Sequence, residues 1–526
     1  MKNIINPILK GFNPDPSILR VGDDYYIATS TFEWFPGVQI HHSKDLINWR
    51  LIGRPLNRVS QLDMKGANSS EGVWAPCLSY DNGVFYLIYT NVRLWTYAGP
   101  RDLDNYLVTT TDIRGDWSEP IYLNSSGFDP SLFHDDDGRK WLVNQLWDHR
   151  LGKNKFAGIV LQEYSPEEKR LVGPITNIFE GTDLGLVEAP HIYKRNGYYY
   201  LITAEGGTTF KHAVTLARSR KLEGPYELHP NNPILTSWTG PHLELQRAGH
   251  GSLVETQDGE WYMAHLCGRP LPNRGRCILG RETALQKMVW HDDDWLYLDG
   301  GGNHPSLTVP APNLKEVKWD EDPVRDDFDD SKLNIHFQTL RMPLGDEFYS
   351  LTERPGHLRL RGSGSLGSRF HQSLIARRQQ AFCYTTTTVV EFEPNSFQQM
   401  AGLTAYYDIN NFYYLNITWH EEKGKILDIV KKDAGIFDEP LKEKISIEGW
   451  KKVYLRVDVD YHMLQYSYSK DGDEWFKIGP SFDASILSDE YTVPNRFTGA
   501  FIGICCQDLS GQRIPADFDF FEYKER

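Results

Sequence analysis

The chain has 526 residues, of which 40% are hydrophobic and 24% are charged. A chain of this length is too long to fold around one hydrophobic core, so we expect at least two domains. A formal net charge of −15 at pH 7 argues against nucleic acid or another polyanion as partner, because such affinity depends on Lys and Arg neutralising phosphates. A neutral substrate fits better, and an aromatic content of 13% is typical of β-structure and of surfaces on which sugars stack.

Cysteine usage and the first residues indicate a cytoplasmic protein that contacts no membrane. The six cysteines show no CxxC spacing, which favours reduced, buried thiols: Cys77, Cys267, Cys277, Cys383, Cys505 and Cys506. The first 20 residues lack a signal peptide, since their apolar stretch is interrupted at Pro7 and Pro14. No run reaches the roughly 18 apolar residues that a membrane helix needs. We also expect a homo-oligomer, a dimer or a tetramer.

Five similar segments recur in the first 300 residues, at intervals of about 60 residues. Each has a small or proline-marked entry, an apolar strand, a turn and an aromatic-rich strand, and they start at Asp15, Ala75, Asp129, Ala189 and His250. Asn-Gly or Asp-Gly pairs mark four of the turns. A second hairpin signature, such as "SKDLINWRLIG" at 43–53, separates several repeats. Two hairpins make one four-stranded blade, so the pattern predicts a five-bladed β-propeller.

The repeat also predicts a pocket. The first strand of each blade lies against the propeller axis, so residues at the strand entries converge at one end of the central channel: Asp15, Trp74, Asp129, Glu188 and His250. Glu188 and Trp74 stand one residue before the position that the other three occupy. In a regular strand this offset would reverse the side-chain direction, although a strand entry need not be regular.

Three carboxylates and an indole in one funnel are suited to glycoside hydrolysis. One carboxylic acid protonates the leaving oxygen, a second carboxylate activates water or attacks the anomeric carbon, and a third raises the pKa of the acid. Each residue alone has a structural interpretation: Asp15 and Asp129 as turn caps, Glu188 as a satisfied charge, His250 as a core histidine. Their joint placement at repeat starts favours the catalytic interpretation.

Three sequence blocks, "NPDPSI", "GFDPSLF" and "LVEAPHIYKRNGYYYL", resemble the catalytic blocks of glycoside hydrolase family 43, and the whole chain resembles its two-domain β-xylosidases. The resemblance implies that Asp15 is the general base, Glu188 the general acid and Asp129 the residue that orients and tunes Glu188. It also implies inversion of the anomeric centre, with the Asp15 and Glu188 carboxyl groups roughly 6.5–9.5 Å apart.

The same resemblance assigns supporting residues. Arg281 in "GRETALQ" would contact the terminal sugar, with a surface ion pair to Glu282 as the alternative. The predicted sugar-facing aromatics are Phe32, Trp74 and Trp147, with packing between blades as the alternative. His250 would help to hold a structural Ca²⁺ through waters, and the chemistry itself would require no cofactor. "HDDDG" at 134–138 is better explained as a hairpin turn than as a metal loop.

Beyond the repeats, a proline-rich and charged stretch predicts a linker over 306–323, between a propeller at 1–305 and a second domain at 324–526. Long alternating segments there predict an antiparallel, concanavalin-like β-sandwich. It would serve as a sugar-binding module, as a wall that closes the active-site funnel, or as a stabilising and oligomer-forming unit. The resemblance favours the wall, and we expect the loop at 504–512 to reach the pocket.

A funnel closed at one end admits a chain end, which predicts exo-action. Together with this, the resemblance implies a β-1,4-xylosidase that releases xylose from the non-reducing ends of small neutral xylooligosaccharides. An α-L-arabinofuranosidase is the nearest alternative, as a main or side activity, because the two sugars present similar hydroxyl groups. An endo-arabinanase would need an open groove, and a fructan-acting relative would carry Arg-Asp-Pro where this chain has Phe128-Asp129-Pro130. A non-catalytic carbohydrate-binding propeller would not need three convergent carboxylates.

Overall fold

The computed structural model describes residues 2–95, 99–491 and 496–526. These ranges are built from β-strands and one short 3-10 helix, Ala484–Ile486. None of the described residues forms a helix with the length and apolar character needed to cross a bilayer. Five small antiparallel sheets come first along the chain and two large sheets follow, so the predicted all-β class is confirmed.

Each predicted repeat forms one blade of a propeller. Four strands follow one another across each sheet, and in blade four a fifth short strand also pairs with the third. The first strands of neighbouring blades contact one another in a closed ring that returns from blade five to blade one. The predicted five-bladed β-propeller is therefore confirmed.

The strands of the blades run in sequence order from the axis outward. Blades one and two contain Ser17–Val21, Asp24–Thr29, Gln39–Ser43 and Arg50–Gly53, then Gly72–Asp81, Val84–Leu94, Asp102–Thr110 and Ile121–Asn124. Blade three contains Ser131–His134, Lys140–Trp147, Phe156–Ser165 and Arg170–Phe179. Blades four and five contain Glu188–Arg195, Tyr198–Glu205, Ala213–Ser219, Glu227–Leu228 and Leu235–Thr236, then Gln246–Glu255, Trp261–Gly268, Glu282–Trp290 and Leu296–Leu298.

A serine two residues after three of the repeat starts joins adjacent blades. Ser17 Oγ accepts a hydrogen bond from the Leu78 amide at 3.0 Å, and Ser252 Oγ accepts one from the Ile18 amide at 3.1 Å. Ser131 Oγ donates to the Pro190 carbonyl at 2.6 Å. These buried bonds satisfy backbone groups that the sheet ladders leave free, so the serine in "DPS" and "HGS" fixes the inner ring.

The N-terminal segment closes the ring. The Asn6 amide exchanges two hydrogen bonds with the Leu285 backbone, at 2.7 and 2.8 Å, on the third strand of blade five. Asn3–Ile5 pairs with Thr308–Pro310, a strand of the predicted linker. The linker continues against blade one, where the Val317 amide donates to Asp45. The domain bounds given above stay a prediction.

The C-terminal part is a sandwich of two antiparallel sheets around a large apolar core. The strands of one sheet are Arg325–Asp326, Tyr349–Ser350, Leu358–Arg361, Cys383–Glu391, Val453–Asp460, Met463–Ser469, Phe476–Asp483 and Pro515–Glu525. The strands of the other are Ser373–Arg378, Gln399–Asp408, Asn411–His420, Gly424–Asp433, Ile436–Asp438, Ile445–Ser446 and Phe501–Asp508. The predicted β-sandwich is confirmed.

Apolar packing joins the propeller to the sandwich. One buried cluster contains residues of both, and within it the rings of Trp34 and Phe501 stack with centroids 3.6 Å apart. The short strand Trp34–Phe35 of the propeller pairs with Thr339–Leu340. This contact sets the sandwich over the end of the channel that carries the predicted pocket.

Candidate active site

The five repeat starts share an unusual backbone conformation. Positive φ angles occur at all five, with values of 58, 37, 54, 51 and 52° in chain order: Asp15, Ala75, Asp129, Ala189 and His250. A left-handed conformation costs a non-glycine residue roughly 1–2 kcal/mol, and such strain is concentrated at functional sites. The same distortion, repeated in every blade, turns the chain sharply as it enters the innermost strand.

This distortion explains why the offset of Glu188 does not turn its side chain away. The strand register shifts between Glu188 and His191 in blade four and between Trp74 and Cys77 in blade two, as it does at a β-bulge. The alternation of a regular strand therefore does not apply at this position. Glu188 and Trp74 line one cavity together with Asp15, Asp129 and His250, so the predicted convergence is found in the structure.

Asp15 is buried and held by two side chains. Its Oδ2 accepts a hydrogen bond from Ser30 Oγ at 2.6 Å, and its Oδ1 accepts one from Arg281 Nη1 at 2.8 Å. Ser30 Oγ is itself fixed, because it accepts a bond from the Ala75 amide at 2.7 Å. Both partners donate to the Asp15 side chain, so each of its two oxygens has a fixed hydrogen-bond partner.

Asp129 and Glu188 are coupled through the backbone. Asp129 Oδ2 accepts a hydrogen bond at 3.1 Å from the amide of Ala189, the residue after Glu188. Burial, followed by the Asp15 charge, raises the pKa of Asp129 to about 8. Burial, followed by the charges of Asp129 and Asp15, raises the pKa of Glu188 well above its usual range. The site is thus built to keep a proton on a carboxyl group at neutral pH.

Arg281 faces the cavity. Besides its bond to Asp15, its Nη2 donates to the Phe497 carbonyl at 3.0 Å, and its guanidinium lies over the rings of Phe32 and Phe497, 5.2 and 5.5 Å from their centroids. The alternative surface ion pair between Arg281 and Glu282 is wrong. Arg281 is 3% exposed, and Glu282 is held instead by Arg269, at 2.7 Å.

Two of the three predicted aromatic residues, Phe32 and Trp74, line the cavity. The centroids of their rings are 5.7 Å apart, and Trp74 Nε1 donates to the Ser70 carbonyl at 2.9 Å, which fixes the indole plane. Trp147 is not among the described residues that line the cavity, and its sugar-facing role stays a prediction. The Arg101 guanidinium lies 3.4 Å from its ring centroid and covers it, which supports the packing alternative.

The sandwich contributes to the cavity through a segment other than the one predicted. Asp489, Glu490, Arg496 and Phe497 line the cavity, and the centroid of the Phe497 ring is 5.4 Å from that of Trp74. The expectation for 504–512 is wrong, because most of this segment is not a loop. Phe501–Asp508 is a buried strand paired on both sides, and no residue of 504–512 lines the cavity.

Ion pairs hold this sandwich segment to blade five. Arg247 contacts Glu490 at 2.7 Å and Asp489 at 3.5 Å, and the Tyr407 hydroxyl donates to Asp489 at 2.6 Å. Burial, followed by the Glu490 charge, raises the pKa of Asp489 to about 7. None of these residues was predicted from the sequence. The non-periodic acidic stretch before "PNRF", ahead of a strand, is the signal that could have indicated them.

His212 is a further cavity residue that was not predicted. Its Nε2 lies 3.8 Å from Glu188 Oε1, and within the described ranges neither ring nitrogen has a hydrogen-bond partner. Burial, followed by the charges of His250 and Arg281, lowers the pKa of His212, so the ring is neutral. A Cβ at Gly249 would lie 2.3 Å from His212 Cγ, so the glycine before His250 leaves room for this ring.

The donors around His250 do not fit a directly bound Ca²⁺. His250 Nδ1 lies 3.8 Å from Asp15 Oδ1, and that oxygen is already bound to Arg281. Calcium prefers six to eight oxygen ligands, whereas this set offers an imidazole and one neutralised carboxylate. In the part of the chain that is described, no three His, Cys, Asp or Glu residues are grouped to hold a metal.

The cavity as a whole has a volume of about 660 Å³ and is closed in part by residues of the sandwich. It combines an aspartate side chain bound by arginine, two carboxyl groups of raised pKa and a cluster of aromatic rings. A base, an acid and apolar faces for a sugar ring are the elements that general acid–base cleavage of a glycosidic bond requires.

Comparison with known proteins agrees with this geometry. The model for "Glycosyl hydrolases family 43" matches residues 4–296, and the model for "Beta xylosidase C-terminal Concanavalin A-like domain" matches residues 325–524. A β-xylosidase of Bacillus subtilis is 55% identical over 99% of this chain and 100% of its own. Xylosidase/arabinosidase 43B of Humicola insolens is 53% identical over 100% of this chain and 98% of its own.

The crystal structure of a xylan β-1,4-xylosidase from Bacillus halodurans C-125 is similar along the whole chain. The two share 57% sequence identity, the TM-score is 0.98, and the match covers 99% of this chain and 100% of that one. The family match on residues 4–296 and the full-length relatives lead to one conclusion: the chain belongs to glycosyl hydrolase family 43.

Proposed function

We propose that this protein is an inverting, exo-acting β-1,4-xylosidase that releases xylose from the non-reducing end of short xylooligosaccharides. The observation that carries the proposal is the convergence of Asp15, Asp129 and Glu188 in one cavity that the sandwich helps to close. The β-xylosidase and xylan β-1,4-xylosidase names of full-length relatives support xylosides as the substrate class.

In this proposal Asp15 is the general base and Glu188 the general acid. Asp15 removes a proton from a water molecule whose oxygen attacks the anomeric carbon. Glu188 delivers its proton to the glycosidic oxygen as the bond from that oxygen to the anomeric carbon breaks. The Ser30 and Arg281 bonds hold the Asp15 carboxyl group in place, and burial raises the pKa of Glu188, which favours its protonated form. The Asp15–Glu188 separation of roughly 6.5–9.5 Å stays a prediction, because a water must fit between base and sugar.

Asp129 acts as a positioning residue for Glu188. Its hydrogen bond to the Ala189 amide sets the backbone that carries Glu188, and the charge that Asp129 carries above its pKa of about 8 favours the protonated form of Glu188. The proton on the carboxyl pair is then available to the leaving group and not lost to solvent.

Arg281, Phe32 and Trp74 are proposed to hold the terminal sugar. Arg281 presents a charged donor beside Asp15, and the two rings supply apolar faces. Four sandwich residues that line the cavity, Asp489, Glu490, Arg496 and Phe497, support exo-action, because they close space that an internal stretch of xylan would need. The expectations of a dimer or tetramer and of a cytoplasmic location remain predictions.

No catalytic step is routed through a metal. Enzymes of this family generally need no cofactor for catalysis, and the donor set at His250 does not fit a directly bound Ca²⁺. The Ca²⁺ held through waters near His250 stays a prediction. His250 is also proposed to act with Arg281 in holding the Asp15 carboxylate, from which its Nδ1 lies 3.8 Å away.

Turnover of p-nitrophenyl β-D-xyloside and of xylobiose by the wild type and by Glu188→Gln tests the proposal. p-Nitrophenolate leaves with little protonation, so Glu188→Gln should lose far more activity, by at least about 100-fold, on xylobiose than on the nitrophenyl substrate. Equal losses on both would contradict the role of Glu188 as acid. Binding of xylobiose without turnover by the wild type would establish the non-catalytic alternative.

An α-L-arabinofuranosidase activity is the second candidate. A relative that is 53% identical over the whole chain is named a xylosidase/arabinosidase, which favours dual specificity. The kcat/KM for p-nitrophenyl β-D-xyloside divided by that for p-nitrophenyl α-L-arabinofuranoside shows whether the arabinofuranosidase activity is the main activity or a side activity. We expect the xyloside to be preferred.

A further inference from the structure

A second, smaller cavity of about 200 Å³ lies where blade one, the connecting segment and the sandwich meet. We call it the arginine cavity, because five of its lining residues are cations and one is an acid: Lys10, Arg50, Arg54, Arg377 and Arg378 against Asp322. The substrate cavity shares none of these residues. Such an excess of positive charge inside a protein of net charge −15 requires an explanation.

The two most buried arginines of the cavity have only neutral oxygens as hydrogen-bond partners among the described residues. Arg54 donates to the Ile335 carbonyl and, at 2.8 Å, to the side-chain oxygen of Gln39. Arg378 donates to the Phe12 carbonyl at 2.6 Å and to the side-chain oxygen of Gln338. Arg54 is 9% exposed and Arg378 is 5% exposed, so water screens neither charge well.

Several donors of the cavity remain unused by the protein. Within the described ranges, Arg54 Nε, Arg378 Nη2 and His41 Nδ1 are buried and have no hydrogen-bond partner, and the same holds for the Nε atoms of Arg50 and Arg377. All five residues line the arginine cavity. A buried donor without a partner is unfavourable, and more so if it is charged.

The acid of the cavity does not balance these charges. Asp322 is bound to His336 at 2.9 Å, and its side chain is 66% exposed. Burial lowers the pKa of Arg54 to about 9, and burial together with the Arg54 charge lowers the pKa of Arg378. Among the described residues, the lining of the arginine cavity therefore offers Arg54 and Arg378 no buried counter-charge, which is unfavourable unless an anion joins them.

We propose that the arginine cavity is a binding site for a small tetrahedral oxyanion of the phosphate class. Guanidinium groups with free N–H donors on several sides match the oxygens of such an ion, and a volume of about 200 Å³ accommodates it. Lys10 lines the same cavity and is exposed, which gives the ion a route from solvent.

The position of the site indicates what the anion does. Arg378 belongs to the sandwich strand Ser373–Arg378, whereas Arg54 follows the fourth strand of blade one, so an ion between them joins the two domains. Arg54 is linked through Gln39 to Asn13, whose side chain accepts from Gln39 at 2.6 Å, two residues before Asp15. Binding should therefore stabilise the domain interface next to the active site.

The test is the unfolding midpoint of the full chain as phosphate replaces chloride at constant pH and ionic strength. We expect a saturable rise for the wild type and for Arg139→Gln, a control whose arginine is half exposed on a hairpin of blade three. Arg54→Gln should lose the saturable rise. A rise that is equal in Arg54→Gln, or no rise in the wild type, would overturn the proposal.

Diffraction from crystals of the wild-type protein soaked in selenate is a second test. It uses no variant, so it does not depend on whether Arg54→Gln folds. Selenate has the shape of phosphate, and its selenium scatters anomalously. The proposal predicts an anomalous peak between the Arg54 and Arg378 guanidinium groups. Density for water alone in the arginine cavity would contradict the proposal. So would an anomalous peak that is lost when chloride is in excess but persists when phosphate is in excess.

Discussion

At the residue scale, Asp129 acts on Glu188 through a backbone hydrogen bond and through charge. Its carboxylate is bound by the Ala189 amide, and its charge, with burial and Asp15, raises the pKa of Glu188. Asp15, by contrast, is bound by Arg281 and Ser30. Glu188 and Asp15 thus lie in one cavity but in different environments: burial and negative charges surround Glu188, whereas hydrogen-bond donors surround Asp15. Such a difference is how an active site separates its acid from its base.

Replacement of Asp129 by Asn tests this division. Asn keeps an oxygen for the Ala189 amide but removes the negative charge, so the charged form of Glu188 becomes less unfavourable and its pKa falls. Glu188 then stays protonated over a narrower pH range. The basic limb of the pH profile of kcat/KM should therefore move to lower pH by about one unit. The pH profile of Asp136→Asn, whose side chain is 82% exposed, should match the wild type. An unmoved basic limb in Asp129→Asn would remove this residue from the proposed role.

At the scale of elements, the strand entry is the feature that the sequence predicted only in part. The five repeats and their turns could be recognised because turn residues and strand periodicity are local properties. The bulge that turns Glu188 into the cavity with Asp15 could not be recognised from the sequence. Its positive φ falls on Ala189, and alanine has no special preference for that conformation. The contact between Trp147 and Arg101 could not be recognised for a related reason, because Arg101 comes from another blade.

Gly249→Ala tests whether the strand entry of blade five positions His212. The added methyl group would meet the imidazole at 2.3 Å, so the ring must move away from Glu188, at a cost of about 1–3 kcal/mol in stability. We expect a fall in kcat/KM of about 10-fold or more, while circular dichroism still shows a folded β-protein. Gly53→Ala is the matched control, because its Cβ would have no neighbour within 4 Å. This change should alter neither kcat/KM nor the stability of the protein.

For the whole molecule, the sandwich is part of the active-site wall. Asp489, Glu490, Arg496 and Phe497 come from the sandwich and line the cavity beside propeller residues. The sequence indicated that a second β-domain follows the propeller, but it did not identify this segment. Which loop of one domain reaches the other depends on how the two pack, through contacts such as Trp34 on Phe501, and not on local pattern.

Phe497→Ala tests the contribution of the sandwich to substrate binding. The ring packs against Phe32 and Trp74, with centroids 6.0 and 5.4 Å away, while the bond to Arg281 uses the backbone carbonyl and survives the change. We expect KM for xylobiose to rise about 10-fold, since an apolar wall of the cavity is lost. Phe437→Ala, at a ring that is 60% exposed in the same domain, should leave KM unchanged. An unchanged KM in Phe497→Ala would favour a sandwich that only stabilises the protein.

The central claim is that Asp15 activates water while Glu188 protonates the leaving group, in a single displacement. Proton NMR of xylobiose hydrolysis, recorded before the product equilibrates, shows directly which anomer of the sugar from the non-reducing end forms first. The account predicts α-D-xylose, because water attacks the face opposite the β-linkage. β-D-xylose as the first product would show retention, and with it a covalent intermediate that this arrangement of Asp15 and Glu188 does not explain.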